Sequence, residues 1–385
     1  MTHRSEPPIR VEPVVTRAGL DAFIDLPAAI YADDPNWVRP LDLDMRKAFD
    51  PSKHPFHLHS EAQPYLAYRG GDSDPVGRIC AIRNRNHEAF HAEPVGFFGF
   101  FESIDDDGVA TALFDTVREW LRERGLEVMR GPTSFSTNEM SGLFVDGDPG
   151  PPVVMMPYNP PYYPGLLERY GFEKARDLYA WMVDSSDPAY PGSEPEYLVR
   201  AEKIVRKRFH VSLRPIDMPR FGAELESIRD LYNDAWEENW GFVPMTDAEF
   251  DFMAEELKPI VDSRLALFVE NEAGEPIGFA LALPDFNYVL KRLNGKLFPF
   301  GIVKALFLRR KITTMRVIIL GVLEAYRGKG IDTLLYLALF RNGTERGITR
   351  AELSWILEDN VKMNQAIERM GARLYRRYRL YDVEI

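Results

Sequence analysis

Arg327-Gly328-Lys329-Gly330 lies between the apolar run Val317–Leu323 and the helical pattern Leu334–Phe340. A strand here hands over to a helix through a glycine turn that carries two cations. Glycine lets several backbone N–H groups crowd together, and a helix start adds its positive dipole end. Such a turn is a nest for an anion and suits a diphosphate. The plainer reading is a strand–helix connection with solvated charges.

The elements that position this turn occur twice. Ile9–Val15 matches Val211–Asp217, Val76–Ile82 matches Ile277–Leu283, Val95–Glu102 matches Val317–Glu324, and Leu166–Lys174 matches Ala366–Leu374. A repeat of about 200 residues is a duplicated domain, not a solenoid. The offsets place an insertion of about twenty residues in each copy, Pro132–Tyr158 in the first and Pro284–Met315 in the second. Each copy reads β-α-α-β-β-β-α-β-α-β, a mixed α/β (α+β) fold with a twisted mixed sheet and helices on both faces. The expected boundaries are 1–183 for the first domain, 184–208 for a linker and connecting helix, and 209–385 for the second. Ser185–Ser193 is Pro/Ser-rich, and Glu196–Phe209 reads as the connecting helix.

Composition narrows the function. A chain of 385 residues with 45% hydrophobic and 28% charged residues has the make-up of a globular protein of two or three domains. A net charge of −12 argues against a general nucleic-acid partner, which needs clustered cations. Cys80 is the single cysteine, so there is no internal disulfide and no cysteine metal site. His54, His57 and His59 lack a helical register and read as loop histidines; no metal is expected. The opening MTHRSEPPIR has no signal-peptide core, and no apolar run is long enough to span a bilayer, so a cytoplasmic setting is expected.

The element order, with Arg327-Gly328-Lys329-Gly330 at the head of the central helix, resembles the GNAT superfamily of acyl-CoA-dependent N-acyltransferases, as a tandem pair over nearly the whole chain. Arg327, Gly330 and Asp332 fill the fixed positions of that family's phosphate loop, and Asn360 stands eleven residues before Gly371-Ala372, as a family Asn does. The resemblance implies acetyl-CoA or another acyl-CoA as co-substrate and a small-molecule amine as acceptor. It implies that Leu320, Val322 and Leu323 pair with the pantetheine arm, and that Arg327, Gly328, Lys329, Gly330, Ile331 and Asp332 surround the diphosphate, with Asn360 nearby. Direct attack by the amine then needs little beyond positioning and an oxyanion-stabilising N–H. Three departures stand out. Asp332 replaces a glycine, Ile367 stands where the family's tyrosine acid is usual, and the first copy's loop is Glu102–Gly108, rich in aspartate, so no CoA is expected there.

Strand alternation over Ala351–Leu357 puts Glu352, Ser354, Ile356 and Glu358 on one face, making Glu352 or Glu358 the candidate base, with Glu324 a third choice. Their plainer reading is surface or capping carboxylates. Tyr378, with Tyr375 and Tyr381, is the candidate acid, and packing is the plainer role. The insertion after Pro284 is basic and apolar. It could rest on an anionic membrane surface, cap the slot and supply cations to CoA phosphates, or pack as a helical lid. Alternatives to acyl transfer are a non-catalytic CoA-thioester-binding or structural module, aminoacyl transfer from charged tRNA, and acyl transfer at a membrane. Acceptor, acyl length and oligomeric state are left open.

Overall fold

The computed structural model describes residues 7–187, 194–236 and 239–385. Of the linker read over Ser185–Ser193, residues 188–193 lie outside the described residues. The chain divides into two compact units: Met1–Asp177 with Leu290–Gly301 and Tyr378–Ile385, and Leu178–Val289 with Ile302–Arg377. These cuts differ from the contiguous 1–183 and 209–385. The last strand of each copy's sequence runs on into the other unit.

In the first unit the order is β1 (Ile9–Pro13), α1 (Arg17–Ile30), α2 (Asp42–Ala48), β2 (Glu61–Arg69), β3 (Pro75–Arg83), α3 (Arg85–His91), β4 (Val95–Ser103), α4 (Asp107–Arg122), β5 (Val128–Gly131), β6 (Leu143–Gly147) and α5 (Tyr163–Tyr170). β1 to β4 form an antiparallel run, and β5 lies parallel to β4. α4 starts where Asp106 accepts the Val109 N–H, an aspartate N-cap. It buries Val109, Leu113, Phe114, Val117 and Leu121 in a core with Ile79 and Phe98 of the sheet. α5 stops at Gly171, whose φ of +111° suits glycine.

β7 (Glu173–Asp184) passes into the second unit, and the chain continues with α6 (Glu196–Phe209), β8 (Ser212–Pro215), α7 (Phe221–Trp236), α8 (Asp247–Leu257), β9 (Ala266–Glu270), β10 (Pro276–Pro284), α9 (Asn287–Leu293), α10 (Gly301–Leu308), β11 (Thr314–Val322), α11 (Asp332–Glu345), β12 (Arg350–Leu357), α12 (Val361–Arg369) and β13 (Arg373–Glu384), of which α9 from Leu290 and β13 from Tyr378 fall in the first unit. β8, β9, β10 and β11 are antiparallel neighbours, and β12 is parallel to β11. A capping box of Thr246 and Glu249 starts α8. Leu334, Leu335 and Leu339 of α11 pack in a core with Leu267, Ile277 and Ala280. Burial of each such leucine contributes about 1.5–3 kcal/mol.

The sixth strand of each sheet is an exchange along the chain. Leu178–Asp184 of β7 pairs antiparallel with β12 in the second unit. Tyr381–Glu384 of β13 pairs antiparallel with β5 in the first.

Candidate active site

In the second unit β11 and β12 begin as parallel neighbours, in register from Thr314↔Arg350 to Val317↔Leu353. Both strands run on, to Val322 and Leu357, without further pairing to each other among the described residues. Two bulges accompany the parting. Against β10, β11 places Val317 opposite Ala282 and Ile319 opposite Leu281, leaving Ile318 over. Against β7, β12 shifts register between Leu353 and Ile356. Bulges bend strands and re-aim side chains, which is what a slot between two parallel strands requires. The gap holds a cavity of about 160 Å³, lined by Val317, Ile318 and Leu320 from one strand and Ser354, Trp355 and Ile356 from the other. Tyr336 of α11, Asn360 and Met363 also line it. That volume is on the scale of a cavity that holds one benzene ring, enough for a thioester and an attacking amine.

Beside the slot lies the glycine turn. Gly328 and Gly330 take φ of +71° and +77°, a region L side chains avoid. Among the described residues the N–H groups of Gly328, Lys329, Gly330 and Ile331 donate to no backbone carbonyl. These amides sit at the start of α11, where the helix dipole favours an anion. The two cations turn back onto the protein. Arg327 Nη2 donates to the Asp234 carbonyl at 2.7 Å and Lys329 Nζ to that of Ala325 at 2.7 Å. Asp332 opens α11, and burial pushes its carboxyl above the ordinary value while its own N–H and that of Thr333 oppose the shift.

The implied pantetheine contacts divide. Leu320 lines the cavity. Val322 is buried at the strand end, and the Leu323 N–H already donates to the Ile277 carbonyl at 3.0 Å, so it is committed to the sheet. Asn360 lines the cavity and caps α12, its side chain accepting the Met363 N–H at 3.2 Å.

Glu352 is fully buried and lies behind Ser354, outside the cavity wall. Ser354 Oγ donates to Glu352 Oε1 at 2.5 Å, and the Tyr375 hydroxyl donates to Glu352 Oε2. Arg316, its cross-strand neighbour in the parallel register, brings Nε to 3.0 Å from Ser354 Oγ and 3.7 Å from Glu352 Oε1. Burial raises the Glu352 carboxyl above its usual range, opposed chiefly by Arg316. Ser354 therefore links the cavity to a buried carboxylate. Sequence reading assigns Arg316 no role in the site. Glu358 ends outside the cavity wall, just past β12. Tyr378 is corrected: it is fully buried in the first unit with its ring 5.8 Å from that of Phe144, because β13 crosses units after Arg377. Tyr375, three residues earlier, reaches the carboxylate instead.

The corresponding place in the first unit is filled. β4 and β5 pair from Val95↔Val128 to Phe97↔Arg130, and the chain then closes, the Thr133 N–H donating to the Phe98 carbonyl at 2.8 Å. A Cβ on Gly99 would stand 2.0 Å from the Thr133 carbonyl oxygen. Phe135, fully buried, packs against Phe56 at 4.9 Å and Phe100 at 5.1 Å. At the head of α4, Asp106 caps the helix and pairs with Arg69. His54, His57 and His59 contact separate partners, the Phe56 N–H, the Ala48 carbonyl and Ser60 Oγ.

A parted pair of parallel strands beside an amide-rich turn defines a class, and comparison with known proteins agrees. The profile of the Acetyltransferase (GNAT) family matches residues 225–372. Protein YghO of Escherichia coli is 37% identical over 97% of this chain and 95% of its own. The bacterial ceramide synthase of Caulobacter vibrioides is 37% identical over 97% of each. Among solved structures, a tandem GNAT protein from the clavulanic acid biosynthesis pathway matches with a TM-score of 0.59, at 13% identity over 98% of both chains. A GCN5-related N-acetyltransferase from Sphaerobacter thermophilus gives 0.54, at 14% identity over 98% of this chain and 95% of its own. The chain belongs to the GNAT acyltransferase family, in its tandem form.

Proposed function

We propose that the second unit transfers an acyl group from acyl-CoA to the primary amine of a long-chain amino alcohol, forming an amide. The observation that carries this reading is the parting of β11 and β12 after Val317 and Leu353, beside a turn whose amides are uncommitted. The amides of Gly328 to Ile331 receive the diphosphate, and the free edge of β11 receives the pantetheine arm as a strand would be received. The thioester carbon and the amine meet in the cavity. The C–N bond forms, the C–S bond breaks, the thiolate leaves with CoA, and the amine gives up a proton. Glu352 takes that proton through the Ser354 hydroxyl, which donates its own as it accepts.

The acceptor class rests on the 37%-identical relative named bacterial ceramide synthase, since a ceramide is a fatty amide of a long-chain amino alcohol. The apolar residues Val317, Ile318, Leu320, Ile356 and Met363 in the cavity lining support it, since no charged side chain lines the cavity to hold a polyamine or amino acid. Release of free CoA thiol tests the reading, with acyl-CoAs from acetyl to palmitoyl against sphinganine, a polyamine and a free amino acid. Thiol release stimulated by sphinganine alone is the expected result. Release with the polyamine or amino acid and none with sphinganine removes the lipid acceptor. CoA binding without turnover on any amine leaves a thioester-binding module.

A further inference from the structure

We infer that Ile302–Lys311 is a docking element for an anionic phospholipid surface. Surface helices of soluble proteins turn polar residues outward. α10 does the reverse. Ile302, Val303, Leu306 and Phe307 share one face by their spacing and are 43%, 66%, 53% and 73% exposed, and no residue of the helix is buried. Single exposed apolar residues are ordinary, but a contiguous set on one helix face is an interaction surface.

The charges name the occupant. Lys304 lies on the same helix, and Arg309, Arg310 and Lys311 form the exposed turn that follows it. No acidic residue occurs between Asp285 and Glu324, in a chain whose net charge is −12. An apolar face flanked by cations, on an otherwise acidic protein, matches the acyl boundary and anionic headgroups of a bilayer. A second copy of the chain fits less well, since a two-fold contact through this face would bring like cations together. Buried Ile312 then ties the segment back to its core at the start of β11. No helix among the described residues is long and apolar enough to cross a membrane, so the element lies on the surface without spanning it.

The test is co-sedimentation of the full chain with phosphatidylcholine vesicles, with and without about one-third phosphatidylglycerol, at low and high salt. Pelleting with the anionic vesicles at low salt, and loss of most of it at high salt, is expected. The quadruple variant Lys304→Gln, Arg309→Gln, Arg310→Gln, Lys311→Gln should lower partitioning on the order of 10²-fold. Val303→Ser with Phe307→Ser should lower it about tenfold or more. Both variants should melt with the wild type, because none of these side chains is in the core. Failure to bind anionic vesicles, or binding that survives both variants, overturns the inference. So does a dimer, or capture of an acidic protein, that the apolar variant abolishes while vesicle binding is absent.

Discussion

The two units carry the same sheet and differ at the same place in it. In each, the central strand and its parallel neighbour pair over a few residues and then stop. In the second unit the strands part around a cavity. In the first, the Pro132–Tyr158 insertion returns across the gap, Thr133 bonds to Phe98, and Phe135 fills what remains. The helix starts differ in the same sense. α11 begins behind glycines with uncommitted amides, whereas α4 begins behind an aspartate that satisfies one amide and pairs with an arginine. Parting of parallel strands is thus a property of the fold. Whether it becomes a binding site depends on what the next loop does with the space.

The strongest way to break the comparison is to alter the turn in each unit. Gly330→Trp should lower thiol release at least about 10²-fold, since a side chain there is strained at φ of +77° and stands where the diphosphate must approach. Its Cβ would also come to 3.3 Å from Val205, so a melting shift of several degrees is expected and should be recorded alongside. Gly108→Trp, at the matching position of the first unit, should leave turnover within about twofold, because Asp106 and Arg69 already occupy that helix start. Equal losses from the two variants would show that both turns bind.

Glu352 of the second unit and Glu102 of the first are both carboxylates largely shielded from water, and the two can be separated by pH. Glu352 connects to the cavity through Ser354, so Glu352→Gln should lower kcat by about 10²-fold or more. Wild-type activity should rise with pH along a limb above the ordinary carboxylate range, because burial raises Glu352, and the limb should vanish in the variant. Glu102 of the first unit accepts from Tyr31 at 2.8 Å and Tyr163 at 2.7 Å, with Arg78 3.6 Å away, and it touches no cavity described here. Glu102→Gln should therefore lower the melting temperature, by the equivalent of about 1–3 kcal/mol for disturbed buried hydrogen bonds, and leave the pH–rate limb in place. Burial raises Glu102 above its unfolded value. Its contribution is then complete at pH below the unfolded value and declines as pH climbs through the folded one, so the gap between wild type and variant should narrow in that direction. Thermal melts at several pH values check the sign.

How far the sequence reached follows the same division. The duplication, the mixed sheets and the turn were readable because they rest on periodicity and on glycines, which act locally. The strand alternation read over Ala351–Leu357 falls within β12, Arg350–Leu357. The exchange of sixth strands was not readable, since alternation shows that Glu173–Asp184 and Arg373–Glu384 are strands but not which sheet receives each half. Tyr378 was misplaced for that reason. Arg316 is not legible as part of the site, because only the register opposite Glu352 reveals a buried partner. The bulges at Ile318 and after Leu353 depend on three strands at once, beyond what one segment encodes.

The smallest expected effect concerns the two cations of the turn. Their side chains point at carbonyl oxygens of Asp234 and Ala325, and Arg327 also stands 3.6 Å from the Asp234 carboxylate. They are tethered to the protein and partly exposed, so their attraction for a diphosphate is screened by water and salt. Lys329→Gln should weaken CoA binding by about two- to fivefold at low salt and by less at high salt, with kcat unchanged, because the amides stay in place. Arg327→Gln should do slightly more, since it also frees the Val322 carbonyl that Arg327 Nε approaches at 3.3 Å. Calorimetry of CoA at two salt concentrations reads both. A loss as large as that of Gly330→Trp would move the anion site from the backbone to the side chains, and with it the physical distinction between the two units, because the first unit's loop keeps a glycine at the matching position, Gly108, but lacks the cations.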